Sequence, residues 1–369
     1  MVSFQPTEDE QLIRETVAGF AREQIRPCAR DADETGLIPN AVVTQGWELG
    51  LVQSTIPEAY GGAGDTRSAV TGALIAEELA WGDLSIALHL LAPRLVAYPV
   101  LEMGTAEQKE RILKTYTGAH FCAGSAAVVE PRMDFDLAAL TTTARRVDGT
   151  YVLDGVKCFV PLGSDAAHML VYAHSGDREG YGGVAGFVIE KGTPGLEIVE
   201  REKNMGLKAL ATHEVRLQDC RVPAANRLGG ERGCDFARLM NEARVGLAAM
   251  AVGVARAAFE YARDYAKDRR AFGVAIAQKQ AIAFMLAEMA LEIDATRLLT
   301  WEAAWKLDRG EDATREAYLA KNYAANMVLK VTDNAVQILG GHGYIREHPV
   351  ELWLRNGRGF AMLEGLVML

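Results

Sequence analysis

The last part of the chain carries a Glu-Gly pair, Glu364-Gly365, closing a run that begins at Gly340-Gly341-His342-Gly343-Tyr344. The glutamate is flanked by Phe360, Met362, Leu363 and Leu366. An apolar setting raises a carboxyl pKa toward neutrality, which suits a general base. A glycine beside it permits close backbone approach. Taken alone, the pair is better read as a surface glutamate in a frayed end. Arg94 lies in the apolar run from Leu84 to Val100. A buried arginine needs a partner: a carboxylate or hydroxyl on a ligand, or Glu102 if Arg94 sits at the helix surface. Asn241 and Arg244 stand three apart on a long helical stretch, which also describes an ordinary helical pair. Arg269, between Lys267 and Arg270, reads by itself as a solvated helix-end charge. Gly340-Gly341 reads by itself as a helix C-cap and turn. The five cysteines are scattered with no C-x-x-C pair, so no metal and no disulfide framework is expected.

Three textures position these residues. Up to about residue 120 the chain is helical. Thr7 and Glu10 form a capping box, and Leu12, Ile13, Val17, Phe20 and Ile25 recur at helical spacing, with Pro27 near that helix's end. Leu74–Trp81, Leu84–Leu91 and Ala106–Thr115 read as further helices. From about 121 to 228 the period changes to that of short strands. Tyr151-Val152-Leu153 and Val156–Val160 flank Asp154-Gly155, a two-residue hairpin signal. Strands joined by turns predict an antiparallel β-barrel or sandwich. From 229 to 369 long Ala-, Leu- and Met-rich segments, about 235–268, 278–308 and 313–338, predict a helical bundle. The expected class is therefore α+β, mostly α, in three domains: 1–120, 121–228 and 229–369.

The net charge of −10 and the lack of a long Lys/Arg run argue against nucleic acid as a partner. The apolar run 84–100 contains His89, Pro93, Arg94 and Pro99 and is a poor membrane span, so no membrane insertion is expected. The first ten residues are acidic and resemble no presequence. Cysteine usage fits a reducing cytoplasm.

Taken in order, the motifs resemble the acyl-CoA dehydrogenase family along essentially the whole chain. They are Ile56-Pro57-Glu58-Ala59-Tyr60-Gly61-Gly62, Gly104-Thr105-Ala106-Glu107-Gln108-Lys109, Glu130-Pro131, and Asp154-Gly155-Val156-Lys157. Further on come Arg269-Arg270-Ala271-Phe272-Gly273, Gln337-Ile338-Leu339-Gly340-Gly341, Glu347-His348-Pro349-Val350-Glu351 and Glu364-Gly365. The resemblance implies helical, β-barrel and four-helix-bundle domains in that order. It implies FAD as cofactor and an acyl thioester, on CoA or on an acyl carrier protein, as substrate. Glu364 is then the base that takes the α-proton while flavin N5 takes the β-hydride, and Gly365 lies close to the substrate. Arg269 matches the arginine that pairs with the FAD pyrophosphate, where a guanidinium fork suits phosphate oxygens. Phe272 and Gln280 match the adenosine side, and Gln337, Gly340 and Gly341 a phosphate-side element. Val128, Phe159, Val160 and Pro161 match positions around the flavin ring. Asn241 and Arg244 match contacts to the pantetheine arm, and Arg94 lies toward the far end of the acyl pocket. Some FAD contacts in the family come from a neighbouring subunit, which implies a homodimer or homotetramer. Electrons would leave to an electron-transfer flavoprotein or another acceptor.

Three departures from the family pattern stand out. Val129-Glu130-Pro131 lacks the threonine of T-E-P, Phe159-Val160-Pro161 replaces W-I-T, and Leu366 replaces the threonine of E-G-T. Two hydroxyls near the flavin ring are thereby lost. The family's small A-G-S segment beside the thioester arm is replaced by Met133-Asp134-Phe135, which with Arg94 leans toward a small, functionalised acyl group on a carrier protein in a specialised biosynthetic pathway. A flavin monooxygenase on the same fold, or a non-catalytic partner subunit, are the alternatives. The retained Glu364 argues against both.

Overall fold

The computed structural model describes residues 5–176 and 178–369. Helix α1 (Glu8–Phe20) starts at the expected capping box: the Thr7 hydroxyl accepts from Glu10 N–H, and the Glu10 carboxylate accepts from Thr7 N–H. It does not end at Pro27. One π turn, Ala21–Ile25, leads into α2 (Arg26–Thr35), whose first turn takes the proline where a missing N–H breaks no helical bond. Next come α3 (Asn40–Glu48), α4 (Ala69–Gly82), α5 (Leu84–Leu91), α6 (Arg94–Met103) and α7 (Ala106–Ile112). Helix α4 is buried over most of its surface and forms the floor of this region.

The middle region holds β1 (Gly124–Ala127), β2 (Thr143–Val147), β3 (Thr150–Pro161), β4 (His168–His174), β5 (Val184–Glu190), β6 (Leu196–Arg201) and β7 (Thr212–Pro223). Their order is β1-β4-β2-β3-β7-β6, with β5 on β4. Two expectations need correction. The sheet is a half-barrel rather than a closed barrel, and β1 runs parallel to β4. Phe187 of β5 bridges to Arg227 and Leu228 N–H bonds Gly186 O, so that side of β5 is taken up by the chain leading out of the sheet. Asp154-Gly155 is not a hairpin either. β3 runs through it, with a bulge between Leu153 and Gly155 against β7. The hairpin turn lies at Asp148-Gly149, both left-handed (φ 44° and 78°), joining β2 to β3.

The C-terminal region consists of α8 (Phe236–Asp268), a small hairpin of β8 (Arg270–Ala271) and β9 (Val274–Ala275), α9 (Gln280–Asp308), α10 (Thr314–Leu339), the short α11 (Gly341–Tyr344) and α12 (Val350–Arg358). The bundle is three long helices completed by the shorter α12, with α4 lying along α8. At Gly253 the two backbones meet so closely that a Cβ would collide with the carbonyl of Glu77. Helix α8 is long and apolar enough to cross a bilayer, but most of its apolar window is buried inside the protein. The segment after Glu364 is not frayed: Leu366, Val367, Met368 and Leu369 are all buried. They pack where Gly72 of α4 and Gly246 of α8 leave room; a Cβ on Gly246 would stand 2.7 Å from Val367.

Candidate active site

Glu364 sits just beyond α12, its side chain 15 % exposed. The apolar surroundings expected for it are not what the fold supplies. Lys321 Nζ, on the buried stripe of α10, donates to Glu364 Oε1 at 2.9 Å. Arg244 Nε of α8 lies 3.7 Å from Oε2. Neither Oε2 nor Arg244 Nε has a hydrogen-bond partner, so one carboxylate oxygen is tied down by Lys321 while the other, buried, makes no hydrogen bond. Arg244 Nη2 donates to Tyr181 Oη at 3.2 Å, and its guanidinium lies 5.6 Å from the Tyr318 ring. Asn241, one turn before, donates to Thr314 Oγ1 at 2.9 Å, joining the start of α8 to the start of α10.

Gly365 is left-handed (φ 66°), and a Cβ there would stand 2.5 Å from Val128 Cγ2. Two requirements thus meet in this glycine, a disfavoured backbone conformation and contact with the sheet. Val128 is itself held from behind. Lys157 Nζ, fully buried, donates to Val128 O and to Glu130 Oε1, both at 3.0 Å. Burial disfavours charge on Glu130, but the Lys157 ammonium and hydrogen bonds from Thr141 and Thr142 outweigh it and hold the carboxyl at about 2. Burial draws Lys157 down to about 8 against the pull of Glu130. Phe159 adopts a left-handed conformation (φ 52°) at the second bulge of β3, and its N–H is used by Glu202 at 3.1 Å. Val160 and Pro161 follow with no hydroxyl to offer.

The remaining sequence candidates gather elsewhere. Arg269 caps the far end of α8, Phe272 tips the β8–β9 hairpin and is 94 % exposed, and Gln280 opens α9. Gln337 and Gly340-Gly341 end α10. Tyr265 and His342, paired at 2.8 Å, show that the ends of α8 and α10 are neighbours. The 25 residues from Arg244 to Arg269 span roughly 37 Å at 1.5 Å per residue. The structure therefore gathers the candidates into two clusters at opposite ends of one bundle and does not bring Arg269 to Glu364 within the chain.

The residues present fit FAD best at the phosphate side. Arg269 is exposed and forms no ion pair among the described residues, and a Cβ at Gly340 or Gly341 would meet only open space. Arg94 is buried, not at the helix surface, and Glu102 pairs with Arg67 instead. Sequence reasoning missed Lys321, Tyr181 and Tyr318. Only Lys321 left a signal, as a charge within the stripe Ala317, Ala320, Ala324 and Met327.

Comparison with known proteins identifies the family. Family models match three successive segments: acyl-CoA dehydrogenase N-terminal domain at residues 7–118, middle domain at 125–220 and C-terminal domain at 233–366. Cyclohex-1-ene-1-carbonyl-CoA dehydrogenase of Geobacter metallireducens is 38% identical over 356 residues, covering 95% of this chain and 93% of that one. The structure of butyryl-CoA dehydrogenase from Megasphaera elsdenii superposes with a TM-score of 0.89 at 33% identity, over 98% of this chain and 95% of that one. An FAD complex of PigA superposes equally well (TM-score 0.89, 25% identity, 98% and 95% covered). The chain belongs to the acyl-CoA dehydrogenase family, FAD-dependent oxidoreductases acting on CH–CH groups.

Proposed function

We propose that this protein α,β-dehydrogenates an acyl thioester, with Glu364 as the base that removes the α-proton. The observation that carries this reading is the Glu364 carboxylate itself, anchored by Lys321 through one oxygen, with the other making no hydrogen bond and facing Arg244 at 3.7 Å. Lys321 fixes the carboxylate in one orientation, and a fixed base within reach of its proton needs no reorganisation during the reaction. The left-handed Gly365 aims its backbone without a side chain in the way. Arg244 and Tyr181 hold the approach to the free oxygen, in keeping with a role in seating the thioester arm. FAD, when bound, accepts the β-hydride at N5. Phe159, Val160 and Pro161, with Val128, would face its ring, and Arg269, Phe272, Gln280, Gln337, Gly340 and Gly341 its phosphate and adenosine side.

Because those two groups stand at opposite ends of one chain, we infer that each FAD is shared between two copies. A stripe on α9 supports this: Phe284, Leu291, Leu298 and Trp305, seven residues apart and each about half exposed or more, form an apolar seam. Sequence relatives are named as dehydrogenases of CoA thioesters while one structural neighbour is a prolyl acyl carrier protein oxidase; the sequence relatives favour CoA as the carrier here, with an electron-transfer flavoprotein as acceptor.

The test is anaerobic. The FAD-loaded protein should bleach when its thioester is added, and the Glu364→Gln protein should keep its colour and bleach about 10²- to 10⁴-fold more slowly. A variant that bleaches at the wild-type rate would place the base elsewhere. Presenting the same acyl group on CoA and on a carrier protein separates the two carriers.

A further inference from the structure

Two histidines stand where the ends of α8 and α10 meet. His342 lies in the turn of α11, two residues beyond Gly340, and Gly343 N–H closes that turn on the Gly340 carbonyl. The turn is pressed onto α10: a Cβ at Gly343 would stand 2.3 Å from the Val336 carbonyl. His348 follows just before α12, and its carbonyl accepts from Arg30 Nη2 at 3.0 Å. Each imidazole is held from one side by a tyrosine of α8. Tyr265 Oη lies 2.8 Å from His342 Nδ1, and Tyr261 Oη lies 2.7 Å from His348 Nδ1. The two tyrosines are one helical turn apart, so the four rings form one cluster, with the imidazole centroids 5.5 Å apart.

The tyrosines settle which imidazole nitrogen is free. A phenol donates well and an imidazole nitrogen accepts well, so each hydroxyl donates to Nδ1 and the neutral ring carries its own proton on Nε2. The protonated ring keeps that N–H. Nε2 of either residue makes no hydrogen bond among the described residues, and both residues are half-buried. Two N–H donors of fixed orientation are therefore unused.

Their neighbourhood favours an anion. Arg269 N–H bonds the Tyr265 carbonyl, which puts Arg269 one turn beyond the tyrosine that holds His342. Most carboxylates at this end are spent. Asp33, Glu34 and Glu351 pair with Arg30, Arg346 and Arg355, and Asp264 pairs with Arg263 and Lys267. Asp268 and Glu347, both exposed, remain against Arg269, Arg270 and Lys279. The backbone at Gly340 and Gly341 is open, since a Cβ on either would meet nothing within 4 Å.

We propose that His342 and His348 are further FAD-binding residues, donating Nε2–H to the phosphate oxygens beside Arg269, and that Tyr265 and Tyr261 are positioning residues that fix each ring and its tautomer. The inference rests on the reading above that places the FAD phosphates at this end of the bundle, and adds to it two donors braced from behind.

The test needs no thioester. FAD release from the holoprotein on dilution is followed by the rise of flavin fluorescence, and the full chain freed of flavin is titrated with ADP and with adenosine by calorimetry. His342→Asn and His348→Asn keep an amide at the place of Nδ1 and remove Nε2. Each should raise the Kd for FAD about tenfold. ADP, which carries the phosphates, should lose affinity by the same factor, while adenosine should bind the variants and the unmutated chain alike. His342→Gln, which returns a donor near the place of Nε2, should recover most of the loss. Unchanged FAD affinity in both Asn variants overturns the proposal. An adenosine affinity that falls as far as that for ADP also overturns it, because the histidines would then serve the nucleoside or the fold. Where an Asn variant does not fold, Tyr265→Phe and Tyr261→Phe decide: each frees a ring without touching Nε2 and should raise the Kd for FAD about threefold, and affinity equal to that of the unmutated chain in both overturns the proposal. A protein that holds FAD through these histidines and bleaches with no thioester sinks the dehydrogenase reading and leaves this one standing. A protein that bleaches while its Asn variants bind FAD normally does the reverse.

Discussion

Two residues beside the base make separable predictions. Lys321→Met should lower kcat about tenfold with KM little changed, because the carboxylate loses the anchor that orients it. Flavin content measured alongside distinguishes this from loss of fold. Gly365→Ala forces a Cβ into the left-handed region and onto Val128. It should cost about 2–3 kcal/mol in urea unfolding, from strain and overpacking together. Glu364 and Gly365 stand out in the chain through their motif. Their surroundings do not, since Lys321 lies 43 residues away and meets Glu364 only once α10 and α12 have packed. The neighbours in sequence, Leu363 and Leu366, turned into the core and left the carboxylate to the cations.

At the level of elements, the support behind Val128 is the Glu130–Lys157 pair linking the chain after β1 to β3. The folded Glu130 titrates at about 2, below its ordinary 4.5. Its contribution is therefore complete above pH 4.5 and disappears as pH falls from 4.5 through 2. Glu130→Gln leaves Lys157 buried with a lesser partner. At pH 7 it should lose about 3–5 kcal/mol, and its urea-unfolding stability should converge with that of the unmutated protein as pH approaches 2. The helices were readable because periodicity and caps are local: Thr7 and Glu10 need only each other. The sheet was less so. Asp148-Gly149 and Asp154-Gly155 are the same dipeptide six residues apart, and only pairing with β7 decides which one turns and which one bulges.

On the scale of the whole molecule, the proposed sharing of each FAD between two copies makes a prediction that no single copy can satisfy. Arg269→Glu and Glu364→Gln copies should each be inactive. Unfolded together and refolded as a mixture, they should recover about a quarter of the unmutated activity, since half of random pairs are mixed and one of the two sites in each is intact. Recovery should vanish when Leu291→Glu is added to both copies to break the α9 seam. No recovery in a mixture shown by mass to contain mixed pairs would place both halves of the site in one copy.

The close approach at Gly253 gives this arrangement a genetic consequence. Where FAD is shared between copies as proposed, defects at opposite ends of α8 should complement one another, because each copy would lend what the other lacks. A side chain at Gly253 pushes α4 off the middle of the rod and disturbs both ends at once. An allele of that kind has nothing to lend, and in a mixed assembly it spoils the intact copy's site along with its own. The position least involved in chemistry is the one at which a dominant defect is expected.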